Sequence, residues 1–557
     1  MHRRVLVAAL LLLAAHGLLA QNQVTVIEGG TLIDGNGGMP LQNSVIVIEG
    51  SRIQAVGARG NVPYPPQARI IKADGMTVLP GLIDAHIHSL DFFPQLFLHF
   101  GVTTVYDTAN PTEWVIAQRD ALKKGKIKGP RMFVTGVVID GPDESEDRRD
   151  EYRTHVRTPE EARNLARSLL QRGVDALKVY QNLTPGLLQP IVEEAHRAGT
   201  EAVGHSHDAR DATMAGLKFI EHTTPIAHAT IGDAAKLKAM DAGRLPTPEA
   251  DMNPALFPPL IDLLVKNGVY FNPTITRVWI NALPKRDQWY TAAADLLEQP
   301  AYRFIPAARR EAWLHTAKNL RTEVDPRAVE GLRHVQDFTR RYVLAGGRII
   351  TGPDSGPSSG PANMAGLAMH VEMEALVDAG LTPMQAIQAS TKWPADLLHK
   401  DKDLGTVAPG KTADVIVIEG NPLADIRLTR KIRTVIMDGK VVDTTLDPNF
   451  QNPIPRPVAE YAMDSRDPEI ETLTPESARQ GAGDLQIQVV GRKFSPQSIV
   501  RFDTSDLPTR FLSTSKLTAT IRASLLKHPG TYAVTVINPG PVGGVSSERY
   551  LIVTYQN

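Results

Sequence analysis

The stretch Leu79-Pro-Gly-Leu-Ile-Asp-Ala-His-Ile-His-Ser89 places two histidines, His86 and His88, directly after an apolar run. In a β-strand, side chains two residues apart point to the same face. If a strand ends here, both imidazoles project from its C-terminal tip and can bind one divalent metal ion. A histidine pair on a surface strand has the same spacing, so the rest of the chain must supply the other ligands.

Strand-like and helical segments alternate between residues 79 and 404. We interpret this alternation as an α/β fold, a parallel (β/α)8 TIM barrel. Two helix starts carry the capping-box signature with proline at the first helical position, Thr158-Pro-Glu-Glu161 and Thr382-Pro-Met-Gln385. The barrel strands are predicted at 82–88, 102–107, 132–138, 176–180, 201–205, 219–221, 269–272 and 348–351.

Two connections, 229–268 and 277–345, are too long for simple loops and are mostly helical in pattern. We predict that they are insertions over the mouth of the barrel. Short alternating strands occupy residues 22–78 and again residues 405–445. Neither segment can bury much by itself, so together they predict one composite β-sandwich with the barrel, residues 79–404, inserted into it.

The C-terminal part of the chain changes pattern twice. Residues 446–465 are rich in proline, aspartate and arginine, which indicates a linker. Residues 466–557 then alternate apolar and polar positions between turn-rich segments, a pattern typical of an all-β sandwich of Ig-like size.

Length and composition limit the class of protein. A chain of 557 residues suggests two or three domains. Hydrophobic residues make up 42% and charged residues 22%, as in an ordinary globular protein. The net charge of −1 gives no electrostatic footprint for nucleic acid or an anionic membrane. With no cysteine present, any metal must be held by histidine, carboxylate or a modified side chain.

The N-terminus begins Met-His-Arg-Arg and continues with an apolar run over residues 5–15 and a small residue, Ala20. This pattern predicts a secretory signal peptide over residues 1–20, cleaved before Gln21. A membrane anchor needs a span of about 20 apolar residues, and this run is shorter. We therefore expect an exported protein, periplasmic or secreted, with no membrane span after cleavage.

Several residues with metal-binding or catalytic chemistry follow the predicted barrel strands. In such barrels, catalytic residues sit at the C-terminal ends of the strands. A buried histidine taken alone is more often a hydrogen-bonded core residue, but candidates at five strand ends are hard to explain in that way. Besides His86 and His88, they are Lys178, His205, His207, His222 and Asp354.

The arrangement over residues 24–445 resembles the amidohydrolase superfamily, in particular its imidazolonepropionase-like and Xaa-Pro-dipeptidase-like branch. The run Leu404-Gly-Thr-Val-Ala-Pro-Gly-Lys-Thr-Ala-Asp414 is similar to the segment with which that family returns to its β-sandwich. The other motifs that carry the resemblance are the stretch around His86, Val174-Asp-Ala-Leu-Lys178, His205-Ser-His207, Ile220-Glu-His222 and Thr351-Gly-Pro-Asp354.

The resemblance implies a centre of two divalent metal ions, Zn²⁺ first among them. His86, His88 and Asp354 would hold one ion, while His205 and His222 would hold the other. The remaining ligand, Lys178, would bridge both ions after carboxylation by CO2, because an ammonium group cannot donate electrons to a cation. Two such ions lower the pKa of a shared water and polarise the scissile carbonyl. The proton would be accepted by Asp354 and passed to the leaving nitrogen.

Two positions depart from the family pattern. Asp208 and Thr223 stand where the family commonly has glycine, after the fifth-strand and sixth-strand histidines. No ligand is missing, so we interpret the changes as a reshaped pocket. His207 is open to two interpretations, contact with the substrate or filler at a strand end, and we favour contact.

The C-terminal segment resembles an Ig-like domain of the IPT/TIG type. The motifs are Glu471-Thr-Leu-Thr-Pro-Glu-Ser-Ala478 and Pro529-Gly-Thr-Tyr-Ala-Val-Thr-Val-Ile-Asn-Pro-Gly-Pro541. Such folds say little about function, and the segment contains no obvious catalytic set. We expect an accessory role in contacts or surface adhesion.

The leading hypothesis is hydrolysis of a C–N bond in a small amide, a dipeptide or an N-acyl amino acid. Such a substrate needs a cation or hydroxyl group to hold its carboxylate. Tyr180 and Arg277 are candidates, although Arg277 fits a surface charge equally well, and His228 is undecided. Cyclic amide hydrolysis, lactone hydrolysis and deamination remain open on the same centre, as does a homo-oligomer. A binding protein without turnover is the alternative of another class, and the intact ligand set argues against it.

Overall fold

The computed structural model describes residues 24–142, 153–278, 282–320, 324–357, 359–456, 468–539, 544–546 and 548–555, and the side chains of 277 and 278 are outside that description. The predicted signal peptide, residues 1–20, therefore lies outside the described residues. So does the second part of the predicted linker, residues 457–465.

Six short strands come first in the described part of the chain. Apolar residues from the two sheets that they form share one core, among them Ile27, Ile46 and Val78. In one sheet the order is β4-β3-β1-β5, and β2 and β6 belong to the other. These strands are β1 Thr25–Glu28, β2 Thr31–Leu32, β3 Ser44–Glu49, β4 Arg52–Ala58, β5 Arg69–Lys72 and β6 Met76–Pro80.

Parallel strands form the centre of the molecule. Three of them make one sheet, β7-β8-β9, and seven make another, in the order β11-β10-β12-β13-β14-β15-β16. Their bounds are β7 Leu82–Ile87, β8 Val102–Asp107, β9 Arg131–Val134, β10 Val138–Asp140, β11 Arg153–His155, β12 Leu177–Val179, β13 Ala202–Gly204, β14 Phe219–Glu221, β15 Tyr270–Asn272 and β16 Arg348–Ile349.

All eight predicted strand runs contain a strand of this central layer, but the third run is divided. Residues 132–138 were predicted as one strand, whereas β9 and β10 lie in different sheets. Gly136, between them, has a φ of 72°, which turns the chain out of the extended conformation. That prediction was wrong in its detail because a glycine inside an apolar run breaks the strand.

Backbone hydrogen bonds connect the two parallel sheets at two places. The His88 N–H donates to the Ser355 carbonyl at 2.8 Å, beyond the ends of β7 and β16. The Asp175 N–H donates to the Val134 carbonyl at 2.7 Å, which joins the end of β9 to the start of β12. The C-terminal ends of the strands consequently face one common region.

Helices alternate with these strands and pack on them, which confirms the mixed α/β class. Thr382 begins its helix with a complete capping box, whereas Thr158 accepts the Glu161 N–H and Glu161 accepts the Arg157 N–H instead. The helices are Phe93–His99, Thr112–Lys123, Pro159–Arg172, Pro185–Arg197, Ala209–Met214, Thr224–Thr230, Ala234–Asp241, Phe257–Lys266, Ile275–Val278, Arg286–Leu297, Ala307–Lys318, Pro326–Leu344, Leu367–Asp378, Pro383–Ala389 and Lys392–Leu397.

The chain returns to the first β-region after the last of these helices. The returning strands are β17 Val415–Glu419, β18 Ile432–Met437 and β19 Lys440–Val442. Strand β17 lies between β18 and β6, antiparallel to both, in the sheet β19-β18-β17-β6-β2. The two β-segments thus share one sheet and one apolar core, although more than 300 residues separate them in the sequence.

Residues 446–456, in the predicted linker, pack on the helix Thr112–Lys123. The Trp114 indole N–H donates to the Ile454 carbonyl at 3.0 Å. Arg456 is 2% exposed, and its Nε donates to Asn110 at 2.9 Å. The described part of this segment is therefore attached to the surface it crosses.

The C-terminal region contains two β-sheets with an apolar core of their own. The sheet orders are β20-β22-β26-β25 and β21-β28-β27-β23-β24. The strands are β20 Glu469–Thr474, β21 Ser477–Arg479, β22 Leu485–Arg492, β23 Ile499–Phe502, β24 Ser505–Asp506, β25 Thr509–Ser513, β26 Lys516–Ile521, β27 Gly530–Ile537 and β28 Arg549–Thr554. Within the described part of the whole chain, none of the helices has the length and apolar character that crossing a membrane requires.

Candidate metal centre

The six predicted metal ligands come together at or just beyond the C-terminal ends of five parallel strands. Strands β7, β12, β13, β14 and β16 each contribute to this group. Most of its members are buried, so water has little access to the space between them. The six residues are His86, His88, Lys178, His205, His222 and Asp354.

His86, His88 and Asp354 form the first half of the centre. The two imidazole Nε2 atoms lie 3.4 Å apart. The Asp354 Oδ1 atom lies 3.1 Å from His88 Nε2 and 3.6 Å from His86 Nε2. Three ligand atoms of types that zinc accepts therefore face one point.

His205 and His222 form the second half, beside His86. Their ring centroids lie 4.4 Å apart, and the His222 ring lies 5.1 Å from that of His86. His222 Nδ1 is 3.0 Å from the Thr274 hydroxyl oxygen, a contact that fixes the direction of the ring. A metal-binding histidine is commonly held through its other nitrogen in this way.

The backbone at the centre adopts unusual conformations. His222 has a φ of 65° and Asp354 a φ of 57°, in the left-handed region that few non-glycine residues adopt. Gly204, which precedes His205, could not carry a side chain, since a Cβ atom there would lie 2.2 Å from the Val179 carbonyl oxygen. Strained residues persist where surrounding structure fixes them, and they are concentrated at functional sites.

Glu221 is a member of the centre that the sequence analysis missed. Its carboxylate pairs with the Lys178 ammonium group and lies 3.3 Å from His86 Nδ1 and 3.5 Å from His205 Nδ1. Both Glu221 and Lys178 are fully buried. The sequence did offer a signal for it, because Glu221 is a charged residue at the end of the apolar strand β14. A carboxylate that is buried there needs a charged or hydrogen-bonding partner.

Burial sets the protonation states of the centre. Removal from water lowers the pKa of Lys178 and raises the pKa of Glu221, while their mutual attraction opposes both shifts. Burial also holds the pKa values of His86 and His205 well below the usual range. Neutral imidazoles are the form that binds metal ions, so the donor set fits a divalent cation.

Tyr180, the predicted substrate-binding residue, lies at the edge of the centre, and its role stays a prediction. Its ring centroid is 4.3 Å from that of His205. The guanidinium group of Arg153 lies over this ring, 4.2 Å from its centroid, and forms an ion pair of 3.5 Å with Asp140. The sequence analysis missed Arg153, which begins the short strand β11.

His207 and His228 belong to a different cluster. Each places its Nε2 atom 3.1 Å from Asp241 Oδ1, and their rings are 4.2 Å apart. The structure therefore does not bring them into the centre with His205. The side chain of Arg277 lies outside the described residues, so its predicted role stays a prediction.

A cavity of about 280 Å³ opens beside the second cluster, at His207. Gln181 and Ser206, which directly follow Tyr180 and His205, line it together with His207 and Asp208. The cavity thus lies on the same side of the central layer as the candidate metal centre.

Comparison with known proteins gives the family. The model of the amidohydrolase family matches residues 95–442, more than half of the chain. The chain belongs to the amidohydrolase family. This membership supports the expected enzyme class, a metal-dependent hydrolase acting on C–N bonds.

Individual relatives match over shorter stretches or at low identity. An N-acyl-D-aspartate deacylase of Alcaligenes xylosoxydans xylosoxydans is 36% identical over 85 residues, which cover 14% of this chain and 16% of the deacylase. The first curated relatives are covered over only 15% to 26% of their own lengths.

Two solved structures share the fold of most of the chain. A molinate hydrolase has a TM-score of 0.56 at 24% identity, covering 76% of this chain and 95% of its own. A Xaa-Pro dipeptidase with methionine bound in its active site has a TM-score of 0.54 at 23% identity, covering 76% and 100%. At this identity the likeness concerns the fold alone.

Proposed function

We propose that this member of the amidohydrolase family is a metal-dependent hydrolase that cleaves C–N bonds in dipeptides or N-acyl amino acids. The observation that carries the proposal is the buried convergence of imidazole and carboxylate ligand atoms at the strand ends. Relatives named as a deacylase and a dipeptidase support the substrate class. We also infer that eight of these parallel runs form the predicted (β/α)8 barrel, with β9 and β10 as the two parts of one strand and β11 outside the eight. Amidohydrolase-type neighbours support this fold.

The residues of the centre fit two divalent ions of the zinc type. His86, His88 and Asp354 would hold one, and His205 and His222 the other, bridged by Lys178 after its carboxylation by CO2. Such ions supply Lewis acidity toward the scissile carbonyl and the attacking water. The buried, low-pKa amine of Lys178 favours this modification, because only a neutral amine reacts with CO2.

Asp354 would move the proton during the reaction. Its carboxylate faces the two histidines of β7, and a left-handed backbone holds it there. In this position it takes a proton from the attacking water and gives it to the leaving nitrogen, as a general base and then a general acid. The leaving amine then departs in neutral form.

Arg153 and Tyr180 would hold the carboxylate of the substrate. The guanidinium group lies within 4.2 Å of the Tyr180 ring, which itself contacts His205. A planar guanidinium offers five N–H donors, so it can keep its ion pair with Asp140 and still bind a second carboxylate. A carboxylate bound there would lie next to the Tyr180 ring, which contacts His205 of the proposed centre.

Release of amino acids tests the proposal. The zinc-loaded mature protein is incubated with a library of dipeptides and N-acyl amino acids, beside the same compounds with the C-terminal carboxylate converted to a carboxamide. We expect release from the carboxylate forms and much slower release from the carboxamides. If a protein that carries two metal ions releases nothing, the substrate class is wrong, and cyclic amides, lactones and deamination are tested next.

Two further predictions concern the ends of the chain. We propose that the protein is exported, and mass analysis of the mature protein should then give an N-terminus at Gln21.

We also propose that residues 466–557 form an accessory Ig-like domain of the IPT/TIG type, supported by two sheets around a separate core. Deletion of residues 458–557 should leave turnover of small substrates intact, and loss of turnover would contradict the accessory role.

A further inference from the structure

We propose that His207, His228 and Asp241 form a second divalent-metal site, separate from the catalytic centre, that fastens the helix Ala234–Asp241 to the strand-end loops. The ligand is a transition ion of the zinc type, which suits two imidazoles and one carboxylate. The proposal does not depend on the reaction that the protein catalyses.

The geometry of the three side chains fits one ion. Both Nε2 atoms lie 3.1 Å from the same oxygen, Asp241 Oδ1, and all three ligand atoms lie within 4.8 Å of one another. Ligands about 2.0–2.1 Å from a tetrahedral zinc ion are separated by roughly 3.3 Å. Small side-chain rotations would therefore place an ion between them.

A second carboxylate can orient one of the ligands. His228 Nδ1 lies 2.8 Å from Asp208 Oδ2, and Nε2 lies 3.1 Å from Asp241 Oδ1. When Nδ1–H donates to Asp208 and an ion replaces the proton of Nε2, the Nε2 lone pair would bind that ion beside Asp241. Asp208 is itself fixed by the N–H groups of Arg210 and Asp211, at 2.7 and 3.1 Å. A carboxylate behind a histidine in this way is the usual outer arrangement of a metal site.

The helix Ala234–Asp241 needs an attachment of this kind. It is fully described, and it contains no buried side chain among its eight residues. Its ion pair between Lys236 and Asp251, at 2.7 Å, is half exposed on the lysine side, and such exposed pairs add little to stability. An ion held by Asp241 would link the helix to β13 and to the helix Thr224–Thr230.

Another histidine–carboxylate cluster provides a matched control. His196 Nε2 lies 3.0 Å from Glu201 Oε2, and His399 Nε2 lies 3.0 Å from Glu201 Oε1. The two imidazoles approach different oxygens of the carboxylate, so their nitrogens do not face one point. Hydrogen bonding explains this cluster fully, and it should hold no ion.

The location gives the proposed site a role. His207 and Asp208 line the cavity that opens on the same side of the central layer as the candidate metal centre. An ion on His207 would fix one wall of this cavity, together with the insertion that contains Asp241. The wall would be looser in protein that lacks the ion.

The experiment compares zinc binding by full-length mature wild type, Asp241→Asn, His207→Gln and the control Glu201→Gln. Bound zinc is measured by mass spectrometry of the metal after gel filtration, and hydrogen exchange is followed at the amides of residues 234–241. We expect Asp241→Asn and His207→Gln each to lose one equivalent of zinc, with Glu201→Gln unchanged. Zinc should slow exchange in the helix of the wild type and of Glu201→Gln only.

The possible outcomes distinguish a bound zinc ion at His207, His228 and Asp241 from hydrogen bonds among these side chains alone. If all four proteins bind the same number of zinc ions, the three side chains form only hydrogen bonds and the proposal is wrong. Equal exchange in the wild-type helix with and without zinc would overturn the tethering role. The two variants alter half-exposed side chains, so a folding failure in one leaves the other as the test.

Discussion

Two histidine–carboxylate clusters, one buried and one half exposed, lie on the same side of the central layer. His86, Lys178 and Glu221 of the first are fully buried, whereas Asp241 and His207 of the second are 48% and 52% exposed. Burial lowers the pKa values of His86 and His205, which favours neutral imidazoles, and it strengthens electrostatic interactions in the first cluster. In the proposed roles, similar ligands would serve catalysis where water is excluded and attachment where it is not.

The architecture explains the difference. The ends of parallel strands position the buried cluster, and two residues in left-handed conformations, His222 and Asp354, complete it. The exposed cluster joins a loop, one helix and an inserted helix, which the central sheets do not hold in place. A catalytic centre requires the more rigid support.

The largest expected effect comes from removing the charge of Asp354. Asp354→Asn keeps the shape of the side chain, and asparagine tolerates the left-handed backbone. We expect turnover to fall roughly 100-fold to 10,000-fold, the usual contribution of a general acid–base. The control is Asp438→Asn, which changes another left-handed aspartate, on the surface beside Arg131. Equal turnover in both variants would contradict the role of Asp354.

The next effect concerns stability of the metal-free protein. Lys178→Met leaves the Glu221 carboxylate buried without its partner, which should cost about 3–5 kcal/mol in the free energy of unfolding. The double variant Lys178→Met/Glu221→Leu should recover most of that loss. Lys236→Met, in the half-exposed pair with Asp251, should cost less than about 1 kcal/mol. Urea unfolding measures all three, and a small loss in Lys178→Met would show that the pair is not buried.

A smaller effect is expected from the proposed carboxylate-binding arginine. Arg153→Met should raise KM for N-acyl amino acids roughly tenfold to a hundredfold, because hydrogen bonds to charged groups contribute about 1.5–3 kcal/mol. The carboxamide substrates should be little affected. Arg348→Met is the matched control, since Arg348 lies over the Tyr270 ring at the opposite ends of the strands. The same rise in KM for both substrate types would contradict the role of Arg153.

The smallest effect on turnover should accompany removal of the exposed ion. A weak chelator should empty the cluster of His207, His228 and Asp241 before it reaches the buried centre, because water has access to the first. Metal content and turnover are followed together during dialysis. One equivalent should leave while turnover changes little, and a parallel fall of both from the start would contradict the separation of the two clusters.

Much of the fold could be predicted from the sequence, because each strand is indicated by apolar residues within the same short segment. The sixth predicted run, 219–221, coincides with β14, Phe219–Glu221. The third run failed at Gly136, where a single residue ends a strand inside an apolar segment. Alternation of apolar residues indicates where a strand can form, but not the residue at which it breaks.

The candidate site was predictable where the ligands follow strands and not elsewhere. The two-residue spacing of His86 and His88 indicated a shared strand face. The other candidate ligands were found because each follows a predicted strand. Arg153 lies in β11, a strand of three residues without apolar alternation. Asp241 meets His207 and His228 only because an inserted helix folds back on the loops, and no local pattern encodes such a contact.

The most direct test is a zinc titration of the metal-free, full-length mature protein in bicarbonate buffer, with amide hydrolysis and metal content measured at each step. We expect no turnover without zinc and a maximum when the buried centre holds two ions, with no rise as the exposed site fills. A His86→Asn variant should stay inactive throughout. Turnover by metal-free protein, or a wild-type curve from His86→Asn, would contradict the assignment of the buried cluster as the catalytic centre.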